Sequence, residues 1–171
     1  MLRPGAGVLT IVHDPEDDSA TVHSALAAHD RELRQVTIHP TVGTTAARMI
    51  ALDVLTALGM HITAETIKRE HLSTPDRAFS AAAAWLTAYE IDVVIVVRAH
   101  LLSAAARHGL SRLATDAAVR VVAIWHGRRP DDWAEAFGHA PSMTREIEEV
   151  EAALAGARRR RGPEPPPDPA S

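Results

Sequence analysis

The sequence predicts an α/β fold, with a mainly parallel sheet flanked by helices in three layers. Residues 91–97 form a run that is almost entirely β-branched and apolar, which is typical of a strand buried on both faces. Shorter apolar runs precede and follow it, and stretches with helical periodicity separate one run from the next. This alternation favours right-handed crossovers between strands and therefore a parallel sheet.

The amino-terminal unit is expected to be a strand at 7–13 followed by a helix. Asp14 is expected to cap this helix, and Pro15 is expected at its first position, where a missing N–H costs nothing. The helix is expected to reach about His29, and a second strand is expected at 35–38. The first strand is therefore predicted to end before Asp14.

The central part of the chain is expected to be mostly helical. Apolar residues recur at helical spacing over 46–58, and Gly59 follows as a carboxyl-terminal cap. Residues 62–74 are polar and irregular, after which Pro75 favours the start of another helix. The apolar face of that helix is expected to carry Phe79, Ala82, Ala83, Leu86 and Tyr89.

The remaining elements follow the buried strand. A helix is expected at 103–115, a strand at 119–125 and a final helix from about Ser142. The final helix is expected to carry Met143, Ile147, Val150 and Leu154 on one face. Residues 1–157 are predicted to be a single α/β domain, and 158–171, basic and proline-rich, a disordered tail.

Composition excludes several classes of protein. Eighteen basic and twenty-two acidic side chains give a net charge of -4, which provides no global field to attract nucleic acid or an anionic membrane. The lack of cysteine excludes disulfides and thiolate metal sites, and it is compatible with the predicted cytoplasmic location. No apolar run approaches the roughly 20 residues that cross a bilayer, so no membrane contact is expected.

The segment after the second strand has the position of a nucleotide-binding loop. In the pattern G-x-x-x-x-G-K-[ST], backbone N–H groups surround phosphate, the lysine reaches its outer oxygens and the hydroxyl binds magnesium. Here Gly43 and Thr45 match the pattern, whereas Ile38 replaces the first glycine and Thr44 replaces the lysine. The alternative interpretation is a turn in which a threonine caps the next helix.

The end of the buried strand carries a second partial pattern. In P-loop ATPases of the AAA type this strand ends in two carboxylates, often within D-E-A-H, one holding magnesium through water and the other activating the attacking water. Here the strand ends Val97-Arg98-Ala99-His100. The alanine and histidine remain in register, and both carboxylates are replaced.

With these two patterns, residues 34–127 resemble the nucleotide-binding core of AAA-type ATP-binding proteins, including the small ATPases of mobile elements. The resemblance implies a P-loop NTPase-like fold with ATP or ADP as ligand. Because the loop lysine and the Asp-Glu pair are missing, efficient ATP hydrolysis is not expected and no catalytic residue is assigned. The binding residues that the resemblance implies are His39, Gly43, Thr44, Thr45, Arg98 and His100.

The expected function is that of a degenerate nucleotide-binding protein, or pseudo-ATPase, with a regulatory or interaction role. The alternatives are a ligand-binding module or enzyme on another doubly wound fold, with its site at the carboxyl ends of the strands, and an interaction scaffold. Arg98 is expected either to neutralise phosphate or to pair with a neighbouring acid. The partner is expected to be a protein, with nucleic acid contacted only through Arg158–Arg161, and the histidine spacings predict no metal site.

Overall fold

The computed structural model describes residues 7–17, 19–40, 46–138 and 141–146, the last four of these by their backbone alone. Strands and helices alternate along the chain, as the sequence predicts. The strands are β1 (Leu9–Asp14), β2 (Gln35–Ile38), β3 (Val93–Val96), β4 (Arg120–His126) and β5 (Met143–Glu146). The helices are α1 (Ser19–Ala27), α2 (Ala47–Ala57), α3 (Ala64–Arg69), α4 (Pro75–Ala88), α5 (Ala104–Asp116) and α6 (Trp133–Phe137), with a 3₁₀ turn at Ala99–Leu101.

The five strands form one sheet in the order β2-β3-β4-β1-β5, and every pairing is parallel. The connection from β1 to β2 passes over β4 and β3 to one edge of the sheet. The connection from β4 to β5 passes over β1 to the other edge. The connections that leave β1 and β4 thus lead to opposite edges of the sheet. The carboxyl ends of these two neighbouring strands are therefore its topological switch point.

The two faces of the sheet are covered to different extents. Helices α2, α4 and α5 pack on one face, where Ile50, Leu86 and Leu110 are fully buried in the main apolar cluster. On the other face, Ala25 of α1 packs in a smaller cluster with Val12 and Ile124. This arrangement confirms a three-layer α/β fold. The helices of the described part include none that is long and apolar enough to cross a membrane.

Helix boundaries follow local chemistry where the sequence supplies a cap. The side chains of Thr74 and Ser103 accept hydrogen bonds from the backbone N–H groups at the starts of α4 and α5. Gly59, just past the end of α2, has φ +89, which glycine adopts without a steric penalty. The expected starts of α4 and α5 and the end of α2 are confirmed.

The beginning of α1 differs from the prediction. Asp14 does not cap a helix, because it is the last residue of β1 and is 1% exposed, and Pro15 lies in a turn. The helix begins at Ser19 and ends at Ala27, two residues before the expected His29. Asp14 remains in the strand because its backbone pairs in register with His126 of β4.

Other local predictions also need correction. Residues 64–69 form α3 within a segment expected to be irregular, because Thr63 caps that turn by accepting from the Thr66 N–H. Met143–Glu146 form a strand paired with β1 where a helix was expected, and Ile147, Val150 and Leu154 lie outside the described residues. Tyr89 follows the last residue of α4 and is 46% exposed.

Strand β3 is buried less evenly than its composition predicts. Val94 and Val96 are fully buried against the three-helix face, whereas Val93 and Ile95 are only partly buried. The reason is that α1 alone covers its face of the sheet less completely than α2, α4 and α5 cover the other face. The tail at 158–171 lies outside the described residues, so its predicted disorder stays a prediction.

Candidate functional site

The candidate site is a cluster of polar side chains at the carboxyl ends of β1, β3 and β4. Ligands of open α/β sheets bind outside the carboxyl ends of the strands, next to the switch point. The cluster lies there because parallel strands bring their carboxyl ends to the same edge. We call this place in the fold the switch-point crevice, and it is defined by the side chains of Asp14, Asp17, Arg98, His100 and His126.

Asp14 and His126 form the buried base of this crevice. They end β1 and β4, are paired in register, and have side chains that are each 1% exposed. Asp14 Oδ2 and His126 Nδ1 lie 3.2 Å apart, which is ion-pair distance, although the angles do not make a hydrogen bond. Two further contacts join the strand ends. The Gly127 N–H donates to Asp14 O at 3.2 Å, and the His13 side chain places Nε2 3.0 Å from Gly127 O.

Asp17 and Arg98 connect the loop after β1 to the end of β3. Asp17 Oδ1 lies 3.3 Å from His126 Nδ1 and 3.6 Å from Arg98 Nη2. Their side chains are 44% and 37% exposed, so this contact is at the rim of the crevice. Arg98 therefore pairs with a neighbouring acid, which is one of the two expectations from the sequence.

His100 lies on the 3₁₀ turn behind Arg98. Its ring centroid is 5.7 Å from that of His126 and 6.2 Å from that of Trp125, both in edge-on arrangements. Burial lowers the pKa of His100, and the nearby His126 and Arg98 lower it further, whereas Asp17 acts in the opposite direction. A neutral His100 is therefore favoured in the folded protein.

An aromatic cluster supports the end of β4. Trp125 contacts Trp133 edge-on at a centroid distance of 5.3 Å, and Phe137 packs against both rings. The Arg107 guanidinium lies 5.4 Å from the centre of the Trp125 ring, and its Nε donates to Ala136 O at 2.6 Å. Burial lowers the pKa of Arg107 from its usual range. These contacts hold α5, α6 and β4 together, and His126 follows Trp125 directly.

The structure brings together two of the six residues that the sequence analysis assigns to a nucleotide site. Arg98 and His100 lie at the carboxyl end of β3, in the switch-point crevice. His39 follows the edge strand β2, is exposed, and makes no hydrogen bond or ring contact with His100 in the described part of the chain. Gly43, Thr44 and Thr45 lie outside the described residues, so their role in phosphate binding stays a prediction.

The sequence analysis gave Asp14 the role of a helix cap and did not assign Asp17 or His126 to a site. A signal was present, because Asp14 and His126 directly follow the apolar runs of β1 and β4. The strand order was needed to make those two runs neighbours. Among the described residues, no three or more His, Asp or Glu side chains are arranged to hold a metal ion.

Comparison with known proteins gives a likeness of fold. A chain in the structure of Drosophila ORC bound to AT-rich DNA and Cdc6 is similar, with a TM-score of 0.50 and 12% sequence identity. The fold is P-loop NTPase-like. The similarity covers 90% of this chain but 57% of that chain, so the present sequence spans little more than half of its length. No protein-family model and no curated protein matches the sequence.

The P-loop NTPase-like fold agrees with the expectation from the arrangement of strands and helices. At 12% identity the likeness concerns the fold alone, and neither a degenerate site nor a mobile-element type follows from it. Function has to be argued from the chemistry of the crevice.

Proposed function

We propose that this chain is a P-loop NTPase-like module that acts by association with a protein partner and does not turn over ATP efficiently. The proposal depends mainly on the charges at the switch-point crevice. Asp14 and Asp17 place carboxylates at the end of β1 and in the loop after it. A hydrolysing site needs cationic and hydroxyl groups there to hold phosphate and magnesium.

The electrostatic cost of placing a triphosphate beside these carboxylates is large. Two like unit charges 4 Å apart repel by about 4 kcal/mol at the effective dielectric constant near a protein surface. Arg98 offsets part of the carboxylate charge, but it already contacts Asp17, as does His126. A nucleotide would have to compete with Asp17 for these contacts.

The chemistry at the end of β3 supports the same conclusion. Val97-Arg98-Ala99-His100 supplies no carboxylate where AAA-type ATPases use one to hold magnesium and one to activate water. The carboxylates of this crevice come instead from β1 and its loop, and they lie within ion-pair distance of His126 and Arg98. Loss of the magnesium-binding and water-activating carboxylates from an active site typically costs several kcal/mol of transition-state stabilisation.

ATP or ADP remains the proposed ligand if association responds to nucleotide. The residues proposed to bind it are His39, Gly43, Thr44, Thr45, Arg98 and His100. Nucleic acid is a second possible partner only through Arg158–Arg161, since the net charge of the chain is -4. The DNA in the ORC structure belongs to that assembly.

A second candidate is a ligand-binding module or enzyme of another chemistry on the same doubly wound sheet. The observation that favours it is the position of Asp14, His126 and Arg98 at the switch point, where such sheets bind ligands of many kinds. In that case nucleotide would not bind, and the ligand would carry groups that form hydrogen bonds with carboxylate and imidazole side chains.

Thermal unfolding of the full chain with ATP, ADP and no ligand separates these candidates. A ligand present at 100 times its Kd adds about 2.7 kcal/mol to the free energy of unfolding. A raised midpoint with either nucleotide, without phosphate release from ATP, supports a nucleotide-responsive module. An unchanged midpoint at millimolar nucleotide supports constitutive association or the second candidate, and steady ATP turnover contradicts the main proposal.

A further inference from the structure

We infer that the Asp17 carboxylate occupies an anion-binding position of the switch-point crevice, and that this position takes a phosphate-type oxyanion when Asp17 moves away. The inference rests on the proposed function in one respect, namely that the crevice is a ligand site that does no hydrolysis. It adds that the ligand is a phosphate-type anion and that the position of the Asp17 side chain controls whether this anion binds.

The first observation is the coordination of a single carboxylate oxygen. Asp17 Oδ1 lies 3.3 Å from His126 Nδ1 and 3.6 Å from Arg98 Nη2. These two nitrogen-bearing side chains come from the ends of β4 and β3, and they converge on the same oxygen atom. A phosphate oxygen offers the same acceptor chemistry at that point, and arginine binds phosphate in the same manner as carboxylate.

The second observation is a set of buried nitrogen atoms that Asp17 does not satisfy. Arg98 Nε, His100 Nδ1 and His126 Nδ1 are buried and have no hydrogen-bond partner within the described ranges. The His126 side chain is 1% exposed, so bulk solvent does not hydrate it. A carboxylate has two oxygens, whereas phosphate has four, and the larger anion can reach more of these nitrogens.

The third observation is that Asp17 is able to leave. Its side chain is 44% exposed, and the residue lies in a loop with φ 51, outside any helix or strand. Asp14 is different, because it is part of β1 and 1% exposed. Of the two carboxylates, Asp17 is therefore the one whose side chain can move away. While it stays in place, it competes with an incoming anion for Arg98 and His126.

The test compares inorganic phosphate binding by the full chain and by Asp17→Asn and Asp17→Gly. Both replacements accept the left-handed backbone of residue 17, so both are expected to fold. Glu16→Gln is the matched control, because it removes one negative charge from an exposed neighbour in the same loop. Binding is measured by calorimetry and by the unfolding midpoint at constant ionic strength.

We expect both Asp17 variants to bind phosphate about tenfold more tightly than the parent chain, as removal of one adjacent like charge predicts. Glu16→Gln should resemble the parent, and adding Arg98→Gln to Asp17→Asn should abolish the gain. Equal affinities for the parent and both Asp17 variants overturn the inference, as does a gain of the same size in Glu16→Gln.

A parallel titration with ATP shows whether the anion is recognised alone or within a nucleotide. If the Asp17 variants gain the same affinity for phosphate and for ATP, the position recognises the phosphate group alone. If they gain more affinity for ATP, the position recognises phosphate within a nucleotide, and both outcomes support the inference. Phosphate release from ATP is followed separately. Turnover by the parent chain contradicts the proposed function, whereas the phosphate affinities alone decide the inference about Asp17.

Discussion

The Asp17 carboxylate and the Arg98 guanidinium lie 3.6 Å apart, and both residues have a left-handed backbone, with φ 51 and φ 54. For a residue with a Cβ atom this conformation costs roughly 1 kcal/mol, less for aspartate than for arginine. The contact therefore joins two unfavourable turns at the ends of β1 and β3. Such conformations concentrate at binding sites, where the surrounding structure maintains them.

The backbone of Arg98 leads to the first prediction. Arg98→Gly and Arg98→Ala both remove the contact with Asp17, but only glycine adopts φ 54 without a steric penalty. We expect the glycine variant to be more stable than the alanine variant by about 1 kcal/mol. Urea unfolding measures the difference. Equal stabilities would show that the left-handed turn imposes no cost at this position.

The buried Asp14 and His126 pair leads to the second prediction. Asp14→Asn preserves the shape of the side chain but removes the charge that lies 3.2 Å from His126 Nδ1, in a pair that is 1% exposed. Weakening a buried polar pair in this way is expected to lower the free energy of unfolding by about 1–3 kcal/mol. The exposed Glu16→Gln should change it by less than about 0.5 kcal/mol. If the two substitutions lower the free energy of unfolding equally, the buried Asp14 carboxylate contributes no more to stability than the exposed Glu16 does.

His100 leads to a prediction about pH. Burial, His126 and Arg98 lower its pKa in the folded protein, so between that pKa and about 6.5 the unfolded chain binds more protons than the folded one. The contribution of His100 to stability is therefore present above pH 6.5 and decreases as the pH falls below it. Unfolding at pH 7.5 and pH 5.5 should show a smaller loss on acidification for His100→Gln than for the parent.

An exposed histidine provides the control for the pH experiment. His23 is on α1 and exposed, and His23→Gln should leave the loss between the two pH values close to that of the parent chain. If His100→Gln retains the whole loss as well, other groups are responsible for the acid sensitivity.

Gly109 gives a prediction about packing in the main core. A Cβ atom at this position would collide with the Cε2 and Cζ atoms of Phe79, where α5 meets α4. Glycine to alanine in a helix ordinarily stabilises by up to about 1 kcal/mol, but the overlap should reverse the sign and cost roughly 1–3 kcal/mol. Unfolding of Gly109→Ala with and without Phe79→Leu tests the cause. The penalty should be smaller with leucine, and an unchanged penalty would exclude the ring as its source.

Much of the fold was predictable because local patterns and burial agree. The strands at 35–38 and 120–126 and the helices that begin near residues 47, 75 and 104 follow apolar periodicity and capping residues. The errors occur where tertiary pairing overrides a local signal. Asp14-Pro15 has the composition of a helix start, yet pairing with β4 holds Asp14 in the sheet.

The site was less predictable than the fold. Arg98 and His100 were assigned through the resemblance of Val97-Arg98-Ala99-His100 to the D-E-A-H pattern at the end of the buried strand. His126 was missed as a site residue, and its contact with Asp14 depends on β1 and β4 being neighbours although more than 100 residues separate them. Local sequence patterns contain no information about that adjacency. The resemblance to AAA-type proteins directed attention to the loop after β2, whereas the switch point of the observed sheet lies between β1 and β4.

The most direct test of the proposed function is phosphate release from ATP by the purified full chain in the presence of magnesium. We predict a rate equal to that of buffer, and the same rate for an Asp14→Asn variant purified in parallel. Steady turnover by the parent chain that is lost in Asp14→Asn would contradict the proposal, because it would assign the carboxylate at the end of β1 to catalysis.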